Sequence, residues 1–246
     1  MHPSWSSTAP TGACLLLATR NPHKVREIRS VLGPRLRLWS LADFPLAPAV
    51  VEDADSFAGN ARRKAAQLVA WLDEEARRLG PNRPLDYPAL VLADDSGLEV
   101  DALGGAPGVH SARFAALDTG ASGNSTDAAN NAKLLRLLCG VAWPQRTARF
   151  RCVIALTPVP LPAGPTPADL FAITRLFEGV CSGRIGFEAH GDQGFGYDPL
   201  FIPDDRNETF AQLGEAVKNQ LSHRARALEK LRSEWLARIG SVAEDR

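Results

Sequence analysis

The sequence predicts an α/β fold, and two observations carry that prediction. Apolar runs of strand length recur along the chain, and amphipathic repeats of helical period fall between them. The strand-like runs are 14–18, 35–39, 90–93, 147–156 and 170–178, and the longest helical repeat is Phe57, Ala61, Ala65, Leu68, Leu72, Ala76 and Leu79. The length of 246 residues suits one α/β domain with a cleft. We place that domain at 13–246, behind a disordered tail at 1–12.

Taken in order, the first strand runs into Thr19-Arg20-Asn21-Pro22-His23-Lys24, and a helix follows with Val25, Ile28 and Leu32 on one face. Gly33 and Pro34 stop it. A strand, a polar loop and a helix N-terminus make an anion site, because free backbone N–H groups and the helix dipole both favour negative charge. Arg20 and Lys24 stand where the dipole disfavours cations, which fits either a phosphate between them or two solvated surface charges. The loop is neither a Walker loop nor a Rossmann glycine fingerprint. After the second strand, Glu52, Asp53 and Asp55 precede the long helix, which begins near Ser56 and ends at Gly80 and Pro81. Acids there can complement its dipole, and that is the reading preferred for Asp53 and Asp55.

The fourth stretch, VLADDSGLEVDALGGAPGVHSAR at 91–113, is the most informative. A short buried strand at 90–93 ends in Asp94 and Asp95, then Ser96 and Gly97. These four residues read either as a plain turn or as acids facing a cleft, a metal or a helix cap. Leu98, Val100 and Leu103 alternate with polar residues, and Gly104, Gly105, Pro107 and Gly108 force a reversal. Thr126 or Asp127 caps the next helix, with Leu134, Leu135 and Leu138 inward. The strand at 147–156 puts Phe150, Cys152 and Ile154 on one face, a proline-rich insertion occupies 158–168, and the sheet resumes at 170. Glycines then crowd around Phe195 and Tyr197, which suits the close approach of a flat ligand or two core rings. Ser222 caps a last helix whose buried stripe is Ala225, Leu228, Leu231 and Trp235. His223 and Arg224 sit in its first turn, where cations are unfavourable unless an anion offsets them.

Composition excludes several classes. With 28 basic and 28 acidic residues the formal charge is zero, which argues against a nonspecific nucleic-acid binder. The four cysteines, Cys14, Cys139, Cys152 and Cys181, show no metal or redox spacing and read as buried free thiols. No apolar run reaches the length of a membrane span, and the start lacks the regions of a signal peptide, so a cytoplasmic location is expected.

The run ADDSGLEVDALGGAPGVHSARF closely resembles the central motif of the Ham1-like inosine triphosphate pyrophosphatases, enzymes of non-standard purine nucleotides. Four further blocks resemble the same family in order, together spanning about 15–231: Thr19 to Lys24, Glu52 with Asn60, FGYDPLF at 195–201, and Lys218 with SHRA at 222–225. The Asn130-Asn131 and Lys133-Leu134 pairs also fit. Departures fall at Arg20, His23, Ala58-Gly59 and Ala132. The resemblance implies an elongated mixed central sheet with flanking helices, two lobes, an active-site cleft and a homodimer. It implies hydrolysis of ITP, dITP and XTP to the monophosphate and pyrophosphate.

The resemblance also assigns roles. Thr19, Asn21 and Lys24 hold the triphosphate, joined by Arg20 as a substrate-binding candidate from its place in the loop; Glu52 and Asp95 bind Mg²⁺, with Asp95 also the general base and Asp94 an accessory acid. Lys24 offsets charge on the leaving group, and Ser96 follows Asp95 in the substrate site. Phe195, Gly196, Tyr197 and Asp198 take the purine, and Lys218, His223 and Arg224 contact the nucleotide. An acidic site binds a triphosphate only with metal between them, and Mg²⁺ favours one or two carboxylates plus phosphate oxygens. Two alternatives stay open: a Maf-like pyrophosphatase of other modified nucleotides, and a nucleotide-binding regulator without turnover.

Overall fold

The computed structural model describes residues 14–34, 36–82, 84, 87–159 and 166–243, with side chains in the last helix described as far as Glu234. The tail at 1–12, most of the proline-rich insertion and Trp235 lie outside the described side chains. In chain order the elements are β1 (Cys14–Leu17), α1 (Pro22–Leu32), β2 (Arg37–Ser40), α2 (Phe57–Leu79), β3 (Leu90–Val100), α3 (Asp127–Leu137), β4 (Thr147–Pro158), α4 (Pro167–Ile173), β5 (Arg175–Ile185), β6 (Phe201–Pro203), α5 (Phe210–Leu221) and α6 (His223–Ala243). The fold is α/β, as the alternation predicts.

Six strands form one sheet in the order β2-β1-β3-β4-β5-β6. It is mixed: β1 pairs parallel with β2 and with β3, whereas β5 pairs antiparallel with β6. Leu15, Leu16 and Leu17 are fully buried in β1, the continuous apolar pattern of a parallel strand covered on both faces. The apolar stripe of α2 is buried from Phe57 through Ala76.

Two sequence expectations are corrected here. The strand at 90–93 does not end at its acids: β3 is one 11-residue strand that carries Asp94, Asp95, Ser96 and Gly97 in mid-run. A turn is thereby excluded, because buried partners for both carboxylates hold the strand extended through them. The second correction concerns 166–173, where Leu170 belongs to a helix rather than a strand. Thr166 and Asp169 form a reciprocal capping box, with Pro167 in the first turn, and that start signal outweighs the apolar run.

The chain forms two compact units. One comprises 1–95, 153–177 and 227–246; the other comprises 96–152 and 178–226. Each of the four boundaries falls inside a regular element, in β3, β4, β5 and α6. The second unit has its own core of Leu98, Val100, Phe114, Leu134, Phe150, Cys181, Tyr197 and Phe201, among others. Cys14, Cys152 and Cys181 are buried thiols, but Cys139 is exposed. It sits just past the C-cap of α3, beyond the inward-facing Leu138.

Candidate active site

The predicted residues fall into two groups, one in each unit. Asp95 belongs to the first and its chain neighbour Ser96 to the second.

The first group is built on β3 and two helices. Successive strand residues face opposite ways, so Asp94 and Asp95 meet different partners. Asp94, with its side chain almost wholly buried, forms an ion pair with Lys24 of α1. Asp95 meets α2: its Oδ1 lies 3.0 Å from Lys64 Nζ, and its Oδ2 accepts from Asn60 Nδ2 at 3.1 Å. Lys64 Nζ also stands 3.0 Å from Glu52 Oε1 and donates to the Asp94 carbonyl at 3.1 Å. One buried ammonium thus draws Glu52 and Asp95 together. Asn60 is fully buried, and its Oδ1 accepts the Ala54 N–H, tying the loop after Glu52 to the same point.

Electrostatics give this group its chemistry. Burial pushes the Asp95 carboxyl above the usual aspartate range, and the nearby Lys64 and Lys24 only partly counter it. Burial works against the Lys64 charge, but Asp95 and Glu52 outweigh it and hold the ammonium above its ordinary value. Asp95 is therefore a better proton acceptor than a surface aspartate, held in place by two donors.

The phosphate loop differs from the expected anion cradle. Asn21 caps α1 with its own side chain, accepting from the His23 and Lys24 N–H groups at 2.9 and 3.4 Å. Thr19 Oγ1 accepts the Asn21 N–H at 3.1 Å. Asparagine is a strong N-cap, so the backbone donors expected to be free are satisfied locally. Arg20 donates to the Ala47 carbonyl at 2.8 Å. Asp53 pairs with Arg63 rather than the helix dipole, and Ser56 caps α2. Gly59 is explained by space: a Cβ there would stand 2.8 Å from Ala54 Cβ and 3.0 Å from the capping Ser56 Oγ.

The second group surrounds the loop between β5 and β6. Asp198 Oδ2 accepts the Phe195 N–H at 2.8 Å and pairs with Lys218 Nζ at 2.5 Å. That ammonium lies 4.4 Å from the centre of the half-buried Phe195 ring, and the Arg224 guanidinium lies 5.9 Å from it. Arg224 is buried and donates to Ser96 Oγ at 2.8 Å. Tyr197 is a core residue, 4% exposed, whose hydroxyl donates to the Ser111 carbonyl at 2.9 Å. His223 is also buried, stacked on Phe150 at 4.8 Å and 13°. Gly183, Gly191 and Gly194 also have a packing reason within the protein, since a Cβ at any of them would strike protein atoms.

Lys64 escaped the sequence reading, and Asn60 entered it only as a motif residue without a role in the site. The signal was present: they lie four apart on the buried face of α2, polar side chains within an apolar stripe.

Comparison with known proteins settles the family. A family model described as the Ham1 family matches residues 15–234. The chain belongs to the Ham1 family. Among its Ham1 relatives, a dITP/XTP pyrophosphatase of Geobacillus kaustophilus is 45% identical over 92% of this chain and 96% of its own length. One from Desulforamulus reducens is 45% identical over 88% and 92%. A solved Ham1 protein from Coxiella burnetii superposes with a TM-score of 0.71 at 31% identity, covering 92% of this chain and 99% of that one.

Within this Ham1 chain, the donor chemistry also bears on the implied metal. Among the described residues no group of three or more His, Cys, Asp or Glu side chains could form an all-protein metal cage. Glu52 and Asp95, converging on Lys64, instead offer the hard oxygen donors and low ligand count that suit Mg²⁺ shared with phosphate. Each carboxylate oxygen retains lone-pair capacity beyond the bonds described. No helix among the described residues is long and apolar enough to cross a membrane.

Proposed function

We propose that this chain hydrolyses non-standard purine nucleoside triphosphates, ITP, dITP and XTP, to the monophosphate and pyrophosphate. The observation that carries the reading is the buried Lys64-Asp95 pair that also draws in the exposed Glu52, beside the Lys24-Asp94 pair, in a chain closely similar to dITP/XTP pyrophosphatases. In this reading Glu52 and Asp95 would hold Mg²⁺, which when bound neutralises phosphate charge and polarises the α-phosphate. Asp95 takes the proton of the attacking water, a role favoured by its raised pKa and by the fixing of both its oxygens. Lys24, oriented by Asp94, offsets charge on the departing pyrophosphate. Thr19, Arg20 and Asn21 line the phosphate loop.

The base falls to the second group. Phe195 supplies the stacking face, worth roughly 1–3 kcal/mol by analogy with single-stranded nucleic-acid binders. Lys218 and Arg224 are its polar neighbours, while Ser96, Gly196, Tyr197, Asp198 and His223 shape and support them. A donor aimed at a 6-oxo group accepts hypoxanthine and xanthine and leaves adenine poorly matched. The reading includes a small-molecule nucleotide substrate, no nucleic-acid partner, a homodimer and a cytoplasmic location.

Steady-state pyrophosphate release from ITP, XTP, dITP, GTP and ATP, with and without Mg²⁺, tests the reading. Metal-dependent turnover of the first three with little of GTP and ATP is the expected result. Bound nucleotide without pyrophosphate release would overturn it. Sedimentation velocity tests the dimer.

A further inference from the structure

The α3 helix presents two polar side chains to one glycine of the loop just described. Asp127 Oδ2 accepts the Gly196 N–H at 2.6 Å, and Asn131 Nδ2 donates to the Gly196 carbonyl at 3.0 Å. The two residues are four apart, so they share a helix face. Asp127 also sits in the first turn of α3, where a carboxylate is favoured by the dipole. Together they fix both peptide planes that flank Gly196. That residue has φ +63°, and a Cβ there would meet nothing within 4 Å. Glycine is thus required by conformation, not by crowding, and a residue of such freedom takes its orientation from its partners.

The neighbours of Gly196 are anchored independently. The Phe195 N–H is bonded to Asp198, and the Tyr197 hydroxyl to Ser111. The peptide between Phe195 and Gly196 is held at the Gly196 N–H by Asp127 and at the Phe195 carbonyl by the Asp198 backbone N–H at 3.3 Å, while the Asp198 carboxylate holds the preceding peptide through the Phe195 N–H. The Phe195 ring, with Lys218 and Arg224 around it, inherits its placement from that peptide. Asn130, the preceding residue of α3, bonds Ala115 and Ala112, so the helix itself is fixed from below.

We propose that Asp127 and Asn131 are positioning residues for base recognition, setting the aromatic face against which the purine is read. The inference rests on the nucleotide pyrophosphatase reading and assigns these two residues no contact with the reacting atoms. Losing one such hydrogen bond should change base affinity about two- to tenfold.

The test uses Asn131→Asp, which is isosteric but replaces the donor by an acceptor facing a carbonyl, and Asp127→Ala, which removes the acceptor. Asp127→Asn, which retains an acceptor oxygen, serves as the rescue. The expected result is a rise in KM for ITP and a smaller ITP-to-GTP preference in kcat/KM, with the change carried by KM rather than kcat. Inhibition by inorganic tripolyphosphate, which has no base, should keep the wild-type constant, and Asp127→Asn should restore most of the preference. Thermal melting of each variant separates local from global loss. Unchanged KM and base preference in both disruptive variants, with active wild type, would overturn this inference alone. Equal weakening of tripolyphosphate and ITP would also overturn it, as a general structural role. An inactive wild type would overturn the pyrophosphatase reading instead.

Discussion

Lys64 decides whether the acidic pair can exist. Two carboxylates drawn to one buried point repel each other, and the ammonium between them offsets both that repulsion and their desolvation. Lys64→Met should lower stability by roughly 3–5 kcal/mol, the cost of leaving buried charge unpaired, discounted toward the lower end because Glu52 is partly exposed. It should also abolish most turnover. Urea denaturation and pyrophosphate release check both, and a variant of wild-type stability would show that the pair does not depend on Lys64.

The thiols make a second prediction at this scale. Burial pushes the Cys181 thiol from 9.0 up to about 11. Its folded pKa lies above the unfolded one, so the resulting stability is complete below pH 9.0 and is lost as pH rises toward 11. The full difference is about 2–3 kcal/mol. Wild type should therefore lose more stability than Cys181→Ala between pH 8 and 10.5 in urea melts; equal losses would remove Cys181 from the alkaline limb. In the folded protein, a thiol reagent should label exposed Cys139 first.

At the scale of elements, the pairing of β5 with the short strand β6 depends on Gly183. It lies opposite Pro203 in the register, and a Cβ there would run into the Ile202 carbonyl and stand 2.7 Å from the Phe201 ring. Gly183→Ala should cost about 1–3 kcal/mol as an overpacked contact. An unchanged denaturation midpoint would show that β6 yields without cost. Elements were largely legible in the sequence where period and caps agreed. Ser56 and Gly80 bracket α2, and Ser222 caps α6 by accepting the Ala225 N–H at 3.2 Å. They were misread where a local signal competed. Asp-Asp-Ser-Gly has turn composition, but in β3 the partners of Asp94 and Asp95 come from α1 and α2, 30 to 70 residues away in sequence.

For the whole molecule, the crossings between the two units matter more than their sizes. All four lie inside strands or a helix, so no linker separates the units along the chain. We read them as parts of one domain, and the expected outcome is a single unfolding transition with superimposable far-UV circular dichroism and fluorescence curves. Two separated transitions would show that the units unfold independently.

The sequence by itself determined the α/β class, the ends of the main helices and the identity of the motif residues, because each is written in local period, capping chemistry or residue order. Tertiary structure alone decided what those residues do to one another. It paired Lys24 with Asp94, set Lys64 and Asn60 on Asp95, sank Tyr197 into the core and left Phe195 within reach of two cations. The physical reason is that partners and burial, which fix charge, proton affinity and exposure, come from residues far apart in the chain, and no local pattern records them.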